Sequence, residues 1–203
     1  MKHIGLFFLC ALFLQPALWA QKGEAGRFTA EAVAGVNLAQ IDGDNSAGYN
    51  KIGLSVGMRG GFMFNKKLEL NTEILFSQKG SRSSINEPNI IRYNLQYVEV
   101  PIGLTLKDWE ITDKDGNNYM RASATANLMF SRLVNGKIEI NGFEETVLLD
   151  NLRPWDFAAG VTGRIFFTRH WGLELRWSRS LVSMSKMNRT IGHMITIRAV
   201  YAF

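Results

Sequence analysis

Apolar and polar residues alternate with a period of two along most of this chain, in runs of about ten residues separated by turn-rich stretches. In 172–182, Leu173, Leu175 and Trp177 oppose Glu174, Arg176 and Ser178. In 51–64, Leu54, Val56, Met58, Phe62 and Phe64 oppose Ser55, Gly57, Arg59 and Gly61. In 92–107, Val98, Val100, Ile102, Leu104 and Leu106 oppose Tyr97, Glu99, Gly103, Thr105 and Lys107, and the last segment sets Ile195, Ile197 and Ala199 against Thr196 and Arg198. The pattern predicts strands at 28–37, 51–64, 68–79, 92–107, 118–130, 155–168, 172–182 and 190–203. Helical periodicity never holds for more than a turn or two, and glycines fall inside the runs, where each would cost a helix about 1 kcal/mol.

Strands of globular proteins average about 5–6 residues, whereas about ten tilted residues cross the hydrocarbon of a membrane. The apolar faces are continuous, and the opposite faces mix charges with Gly, Ser, Ala and Thr. A sheet in hydrocarbon must also close, because an open edge leaves backbone groups unsatisfied there. The fold expected is therefore all-β, an eight-stranded antiparallel up-and-down transmembrane β-barrel in a bacterial outer membrane. Short turns at 65–67 and 169–171 mark a periplasmic end, and long polar connections at 38–50, 80–91 and 131–154 an extracellular one. The stretch 108–117 reads as a longer periplasmic connection. Phe64, Trp109, Phe167, Trp171, Tyr201 and Phe203 would form one interfacial aromatic belt, and Phe76, Tyr93, Trp155 and Trp177 the other.

The chain opens with Lys2 and His3, an apolar run from Ile4 to Leu14, a break at Pro16 and a small residue at Ala20. That is the pattern of a secretory signal peptide over 1–20, with the barrel domain occupying 21–203. The one cysteine, Cys10, falls inside the signal, which leaves no disulfide framework or thiolate metal site. Lys and Arg total 23 against 18 Asp and Glu, and they are scattered, so nucleic acid is not an expected partner.

Four stretches carry a family likeness: Gly35-Val36-Asn37-Leu38, Gly48-Tyr49-Asn50-Lys51-Ile52-Gly53-Leu54, Leu75-Phe76-Ser77-Gln78-Lys79-Gly80 and Leu95-Gln96-Tyr97-Val98-Glu99-Val100-Pro101. In this order they resemble the PorT-like outer-membrane β-barrel family, common in Bacteroidota, whose namesake is linked to protein secretion and gliding machinery. The closing Tyr201-Ala202-Phe203 resembles the signal read by the barrel-assembly machinery, with Tyr201 and Phe203 as the residues read.

The inward faces carry Arg59, Glu69, Glu73, Glu99, Arg121, Arg164, Glu174, Arg176 and Arg198. Isolated charges in a narrow interior are costly, so mixed signs imply a mutually paired filling. An eight-stranded barrel is only wide enough for side chains, which favours a plugged lumen over an ion pathway. Catalysis is not expected. Glu69 and Glu73 only share a strand face, and His170 and His193 lack a nucleophile-elbow motif near Ser178, Ser180, Ser183 or Ser185. Asp42-Gly43-Asp44-Asn45 reads as a tight turn without the later ligands of a calcium loop, so no metal or cofactor is expected.

The function expected is a structural or interaction role, through the extracellular loops or a periplasmic partner. One alternative is transport, as a small pore or secretion accessory; another is a barrel-embedded lipid hydrolase or acyltransferase. Lys137-Ile138-Glu139-Ile140 alternates, so loop 131–154 would hold a hairpin that offers a strand edge to a protein partner. Arg82, Arg92, Arg132, Lys137, Arg153, Lys186 and Arg189 would meet outer-membrane lipid and lipopolysaccharide phosphates. The barrel is expected to be a monomer. N-terminal sequencing of the exported protein is expected to begin at Gln21; retention of 1–20 would contradict the signal peptide.

Overall fold

A computed structural model describes residues 26–42, 49, 51–82, 91–144, 150–186 and 190–203. The expected signal peptide and the start at Gln21 lie outside the described residues. Among the described residues nine strands form: β1 (Phe28–Asp42), β2 (Lys51–Met63), β3 (Leu68–Lys79), β4 (Ile91–Thr112), β5 (Asn118–Ile140), β6 (Phe143–Glu144), β7 (Trp155–Phe166), β8 (Trp171–Ser180) and β9 (Ile191–Ala202). All but β6 join in one ring, each strand antiparallel to the next in sequence, with β9 returning to β1 and β5 pairing β7. The fold is thus an all-β, eight-stranded antiparallel barrel. Closure gives every ring strand two neighbours, which is what hydrocarbon demands of a backbone.

Alternation sorts the side chains. Leu104, Ile165, Leu175 and Ile197 lie exposed on the outer wall, while Glu99, Arg164, Glu174, Arg176 and Arg198 are buried in the lumen. Thr72 and Pro101 mark a local exception in the ladder. The β3–β4 pairing is interrupted between Thr72↔Ile102 and Leu75↔Glu99, because Pro101 has no N–H to donate there. The Thr72 hydroxyl donates instead to the Pro101 carbonyl at 3.1 Å.

Three differences from the sequence pattern stand out. β1 runs on to Asp42, and β4 and β5 run far past their expected ends, to 22 and 23 residues. At the loop end their pairing continues to Ile91↔Ile140, beyond the last β5–β7 pair at Arg132↔Trp155. Asn141 and Gly142, both at positive φ (51° and 86°), then turn the chain back so that Phe143 pairs Ile140. Two consecutive left-handed residues make the primed turn that suits a hairpin's twist. At the turn end the same two strands extend to Thr112↔Asn118, so the first half of the expected connection 108–117 is strand. Here Asp113 Oδ1 accepts the backbone N–H groups of Asp115 and Asn117, each at 2.9 Å. The Asn117 N–H leads in holding the Asp113 carboxyl below the usual carboxylate range.

Tyr93 is a correction to the aromatic belts. It shares the parity of Tyr97 and Glu99 on β4, and it packs inward against a cluster of Ile41, Leu95, Tyr97 and Met184. Trp155 and Trp177 remain exposed at the loop end, as do Phe64, Phe167, Trp171 and Phe203 at the turn end.

The exposed belt sets a depth-dependent cost for charge. Ile197→Arg, at mid-belt, should lower stability in lipid vesicles by about 2–4 kcal/mol, and Phe64→Arg, at the rim, by about 0–1 kcal/mol. Denaturant titration of the refolded variants measures both; equal costs would mean that the belt is misplaced along the strands.

Candidate functional site

The lumen is built from the inward parity of each strand, so its chemistry follows from residues spaced two apart. Among the described residues the buried charges are Arg59, Lys79, Arg164, Arg176 and Arg198 against Glu31, Glu69, Glu73, Glu99, Asp156 and Glu174. Lys107 adds a sixth cation, 2.5 Å from Glu69. Six charges of each sign therefore occupy the interior.

The central group holds four arginines and three glutamates from six strands. Arg59 on β2 meets Glu31 at 2.8 Å and Glu73 at 2.5 Å, and reaches across the lumen to Glu174 on β8. Arg164 on β7 donates to Glu31 on β1 at 2.8 Å. Arg176 on β8 donates to Glu73 on β3 at 2.6 Å and to the Thr162 hydroxyl at 3.0 Å. Arg198 on β9 bonds Glu174 through Nε at 3.0 Å and Glu73 through Nη2 at 3.1 Å. Arginine suits such a position because its planar fork makes several directed hydrogen bonds at once and stays charged. The side chains tie strands that lie on opposite sides of the ring.

Towards the loop end Lys79 forms a second group, 2.5 Å from Glu99 and 3.3 Å from Asp156, with its ammonium 5.0 Å from the centre of the Tyr97 ring. The Ser131 hydroxyl donates to Glu99 at 3.0 Å. Polar bridges complete the wall: Asn71 to Thr105, Thr105 to Thr125, and Asn127 to Thr162, at 2.6, 2.7 and 2.8 Å. Apolar groups pack among and above the charges. Val33, Leu75, Phe166 and Val200 form one cluster, with Tyr119 alongside. Ile41, Leu95, Tyr97 and Met184 cluster above, and Leu152 packs on this group. Met184 comes from the β8–β9 connection. It is held over the mouth by the Arg153 N–H on its carbonyl at 2.8 Å and by the neighbouring Leu152↔Ser185 bridge. One cavity at the mouth, bordered by Lys79, Ser178, Ser180, Met184 and His193, measures about 20 Å³. That is room for about one water molecule.

Eight of the nine expected lumen charges meet in these groups. Arg121 does not. It lies near the turn end, where the strand pairing has left the β7 neighbour, and its guanidinium stacks 4.6 Å from the centre of the Trp109 ring. Trp109 itself sits at φ 62°, an uncommon conformation for a bulky residue, and is 57% exposed. Glu31, Lys79, Lys107 and Asp156 are lumen charges that the sequence pattern did not single out. All but Glu31 share the inward parity of a charge expected on the same strand, so parity was the signal that could have found them.

The resemblance stretches converge here. Asn37 donates to the Ser77 hydroxyl at 2.8 Å and to the Gln78 carbonyl at 3.1 Å, and accepts from Thr196 at 2.8 Å. It spans β2 at the position of its partner Gly53, where a Cβ would collide with the Gln78 backbone. Residues of all four stretches (Asn37, Gly53, Ser77 and Lys79, Tyr97 and Glu99) thus line one patch of inner wall.

Histidine–serine chemistry finds less support in the geometry. His193 pairs Arg179 across strands, on the outer face, and lies 2.8 Å from Asp42, whereas Ser178 and Ser180 are buried on the inner face. None of the described hydrogen bonds joins His193 to a serine. His170, in the β7–β8 turn, lies 2.7 Å from the Ala202 carbonyl. Of the tight-turn residues only Asp42 is described, and it accepts from Gln40 at 3.0 Å.

Removing a shared carboxylate should cost more than removing one of two. Glu73→Ala leaves Arg59, Arg176 and Arg198 short of an acceptor and should destabilise the barrel by about 3–5 kcal/mol. Glu99→Ala leaves Lys79 with Asp156 and should cost about 1–3 kcal/mol. Unfolding of the two variants in lipid ranks them; a reversed order would contradict the arrangement described.

No curated protein matches the chain. Among solved structures it is similar to Ail, the attachment invasion locus protein of Yersinia pestis, at 13% identity over 87% of this chain and 99% of that one, with a TM-score of 0.53. Ail in a phospholipid bilayer nanodisc aligns at 14% identity over 86% and 99%, with a TM-score of 0.50. Neisserial surface protein A aligns at 10% identity over 87% and 97%, with a TM-score of 0.45. At these identities the likeness is one of fold. The family model for the outer membrane protein beta-barrel domain matches residues 19–186. The chain accordingly belongs to the outer membrane protein beta-barrel domain family and is a protein of the bacterial outer membrane.

Proposed function

We propose that this protein is a sealed barrel that works through its surfaces, without catalysis and without an open pore. The observation that carries this reading is the filled interior: ion-paired side chains and two apolar clusters pack the lumen, with Met184 and Leu152 at the mouth. A conducting pore needs a continuous water-filled passage, and a cavity of about 20 Å³ at the mouth is a poor start for one.

The surface best suited to a protein partner is the hairpin of β4, β5 and β6. Above Arg132↔Trp155 the strand β5 no longer pairs β7, and β6 covers only Glu139 and Ile140. The intervening edge offers backbone groups to an added strand. The remainder of loop 131–154 includes 145–149, which lie outside the described residues. Membership of the PorT-like group within the family, with a role beside secretion machinery, is the more specific form of this proposal. Its support is the meeting of the four resemblance stretches on one wall. The mature chain would begin near Gln21 and reach the membrane through the barrel-assembly machinery, which would read Tyr201 and Phe203. It would then remain a monomer.

Purified protein in planar bilayers is expected to give no steady conductance. A stable single-channel current from the wild type would reject the sealed-barrel reading and favour transport.

A further inference from the structure

At the loop end of the barrel, Lys51, Ile52, Arg82, Arg92 and Asn94 surround a recess of about 300 Å³. Its three cations come from three consecutive stretches of wall: the start of β2, the residue pair beyond β3, and the start of β4. Arg82 and Arg92 face one another in a β-bridge. Like charges directly opposite across a strand pair are destabilising. The Lys51 ammonium is drawn towards the same place by its hydrogen bond to the Asn94 side chain.

Among the described residues no carboxylate pairs directly with this group, although Glu139 lies close enough to Arg92 to attract it. Glu139 is the carboxylate nearest in register, opposite Arg92, but its oxygen is 2.8 Å from Lys137, which also approaches Glu144 at 3.8 Å. Among the described residues, no carboxylate forms an ion pair with Lys51, Arg82 or Arg92. Two other loop-end cations are engaged elsewhere: Arg132 stacks 4.7 Å from the Trp155 ring, and Lys186 donates to the Asp150 carbonyl at 2.8 Å.

Height and wall chemistry narrow the kind of anion such a group would take. Ile52, 65% exposed, forms one side of the recess, and Leu54 and Val98 continue the lipid-facing belt below it. The cations therefore stand at the boundary where hydrocarbon gives way to headgroups. A free anion would use the cations and leave the apolar side idle. An amphiphile uses both, with its phosphate between guanidinium forks and its acyl chain along Ile52 and Leu54.

We propose that Lys51, Arg82 and Arg92 form a binding site for the phosphate of an outer-leaflet glycolipid, the lipid A part of lipopolysaccharide. The site is independent of whether the lumen conducts. It replaces a diffuse basic rim by one locus on the β2–β3–β4 side of the barrel.

The test uses the purified protein in phosphatidylcholine nanodiscs. Binding is measured for lipid A, for lipid A stripped of its phosphates, and for inorganic phosphate. The Arg82→Gln/Arg92→Gln variant should bind lipid A about tenfold more weakly than wild type, a change of about 1.4 kcal/mol. Dephosphorylated lipid A should bind wild type at the level of that variant. Arg179→Gln, on the outer face of β8, should bind as wild type. Heat-dependent gel mobility reports that each barrel is folded, and Lys51→Gln, which leaves the Arg82–Arg92 bridge in place, gives an independent loss. Equal lipid A affinity in wild type and in both variants would overturn the site. Inorganic phosphate that binds as tightly as lipid A would overturn the lipid assignment.

Discussion

Everything in this molecule follows from a ring of eight strands having an inside too narrow for bulk water and an outside that is hydrocarbon. Each strand must present apolar side chains outward and must fill the lumen with the alternate ones. The chain fills it largely with charge. Such an interior is tolerable only when each ion has partners, since an isolated buried charge is strongly unfavourable. Glu73 and Glu174 each serve several arginines, and the arginines fork between carboxylates on different strands. The charges thus hold the ring at a fixed diameter from within, where a soluble β-protein would use an apolar core.

Glycine placement belongs to the same constraint. At Gly61 a Cβ would press on the Glu69 carboxylate and the Thr29 hydroxyl, and at Gly103 on the side chains of Asn127 and Thr125. Both face inward beside long polar side chains. Small residues at these positions are what allow Glu69 to meet Lys107 and Asn71 to meet Thr105.

The fold is legible in the sequence because its signal is periodic. Ile197 beside Arg198, or Glu174 between Leu173 and Leu175, declares a two-sided strand without any knowledge of partners. What escapes is whatever parity does not encode. β4 and β5 leave the membrane at both ends, and beyond it alternation weakens, so Asp108 to Thr112 reads as a loop. Arg121 has the inward parity of its strand, yet sits where the neighbouring wall has ended and an exposed tryptophan offers a closer companion. Tyr93 carries the inward parity of Glu99, but an aromatic residue near a strand end reads first as a member of a belt. Pairs between neighbouring strands, such as Arg59 and Glu73, follow from the hairpin register, but the pairs that cross the ring do not, since they join residues more than a hundred positions apart, such as Arg59 and Glu174. The recess of Lys51, Arg82 and Arg92 is half visible, as two cations among seven; only the strand register brings the third to them.

The seam between β1 and β9 has a consequence for how the chain reaches this state. The first and last strands are neighbours, so the ring is completed by contacts of the largest sequence separation available to it, such as Glu31↔Ala202. Contacts of that kind are slow to form. Arg198, which ties Glu73 and Glu174, is delivered by that last strand. Until β9 docks, the half-built interior keeps an acidic surplus in contact with water, and the final strand both closes the wall and neutralises the inside. The last cation of the central group thus arrives with the strand that closes the wall, which lets Glu73 and Glu174 remain hydrated for as long as the chain is still open.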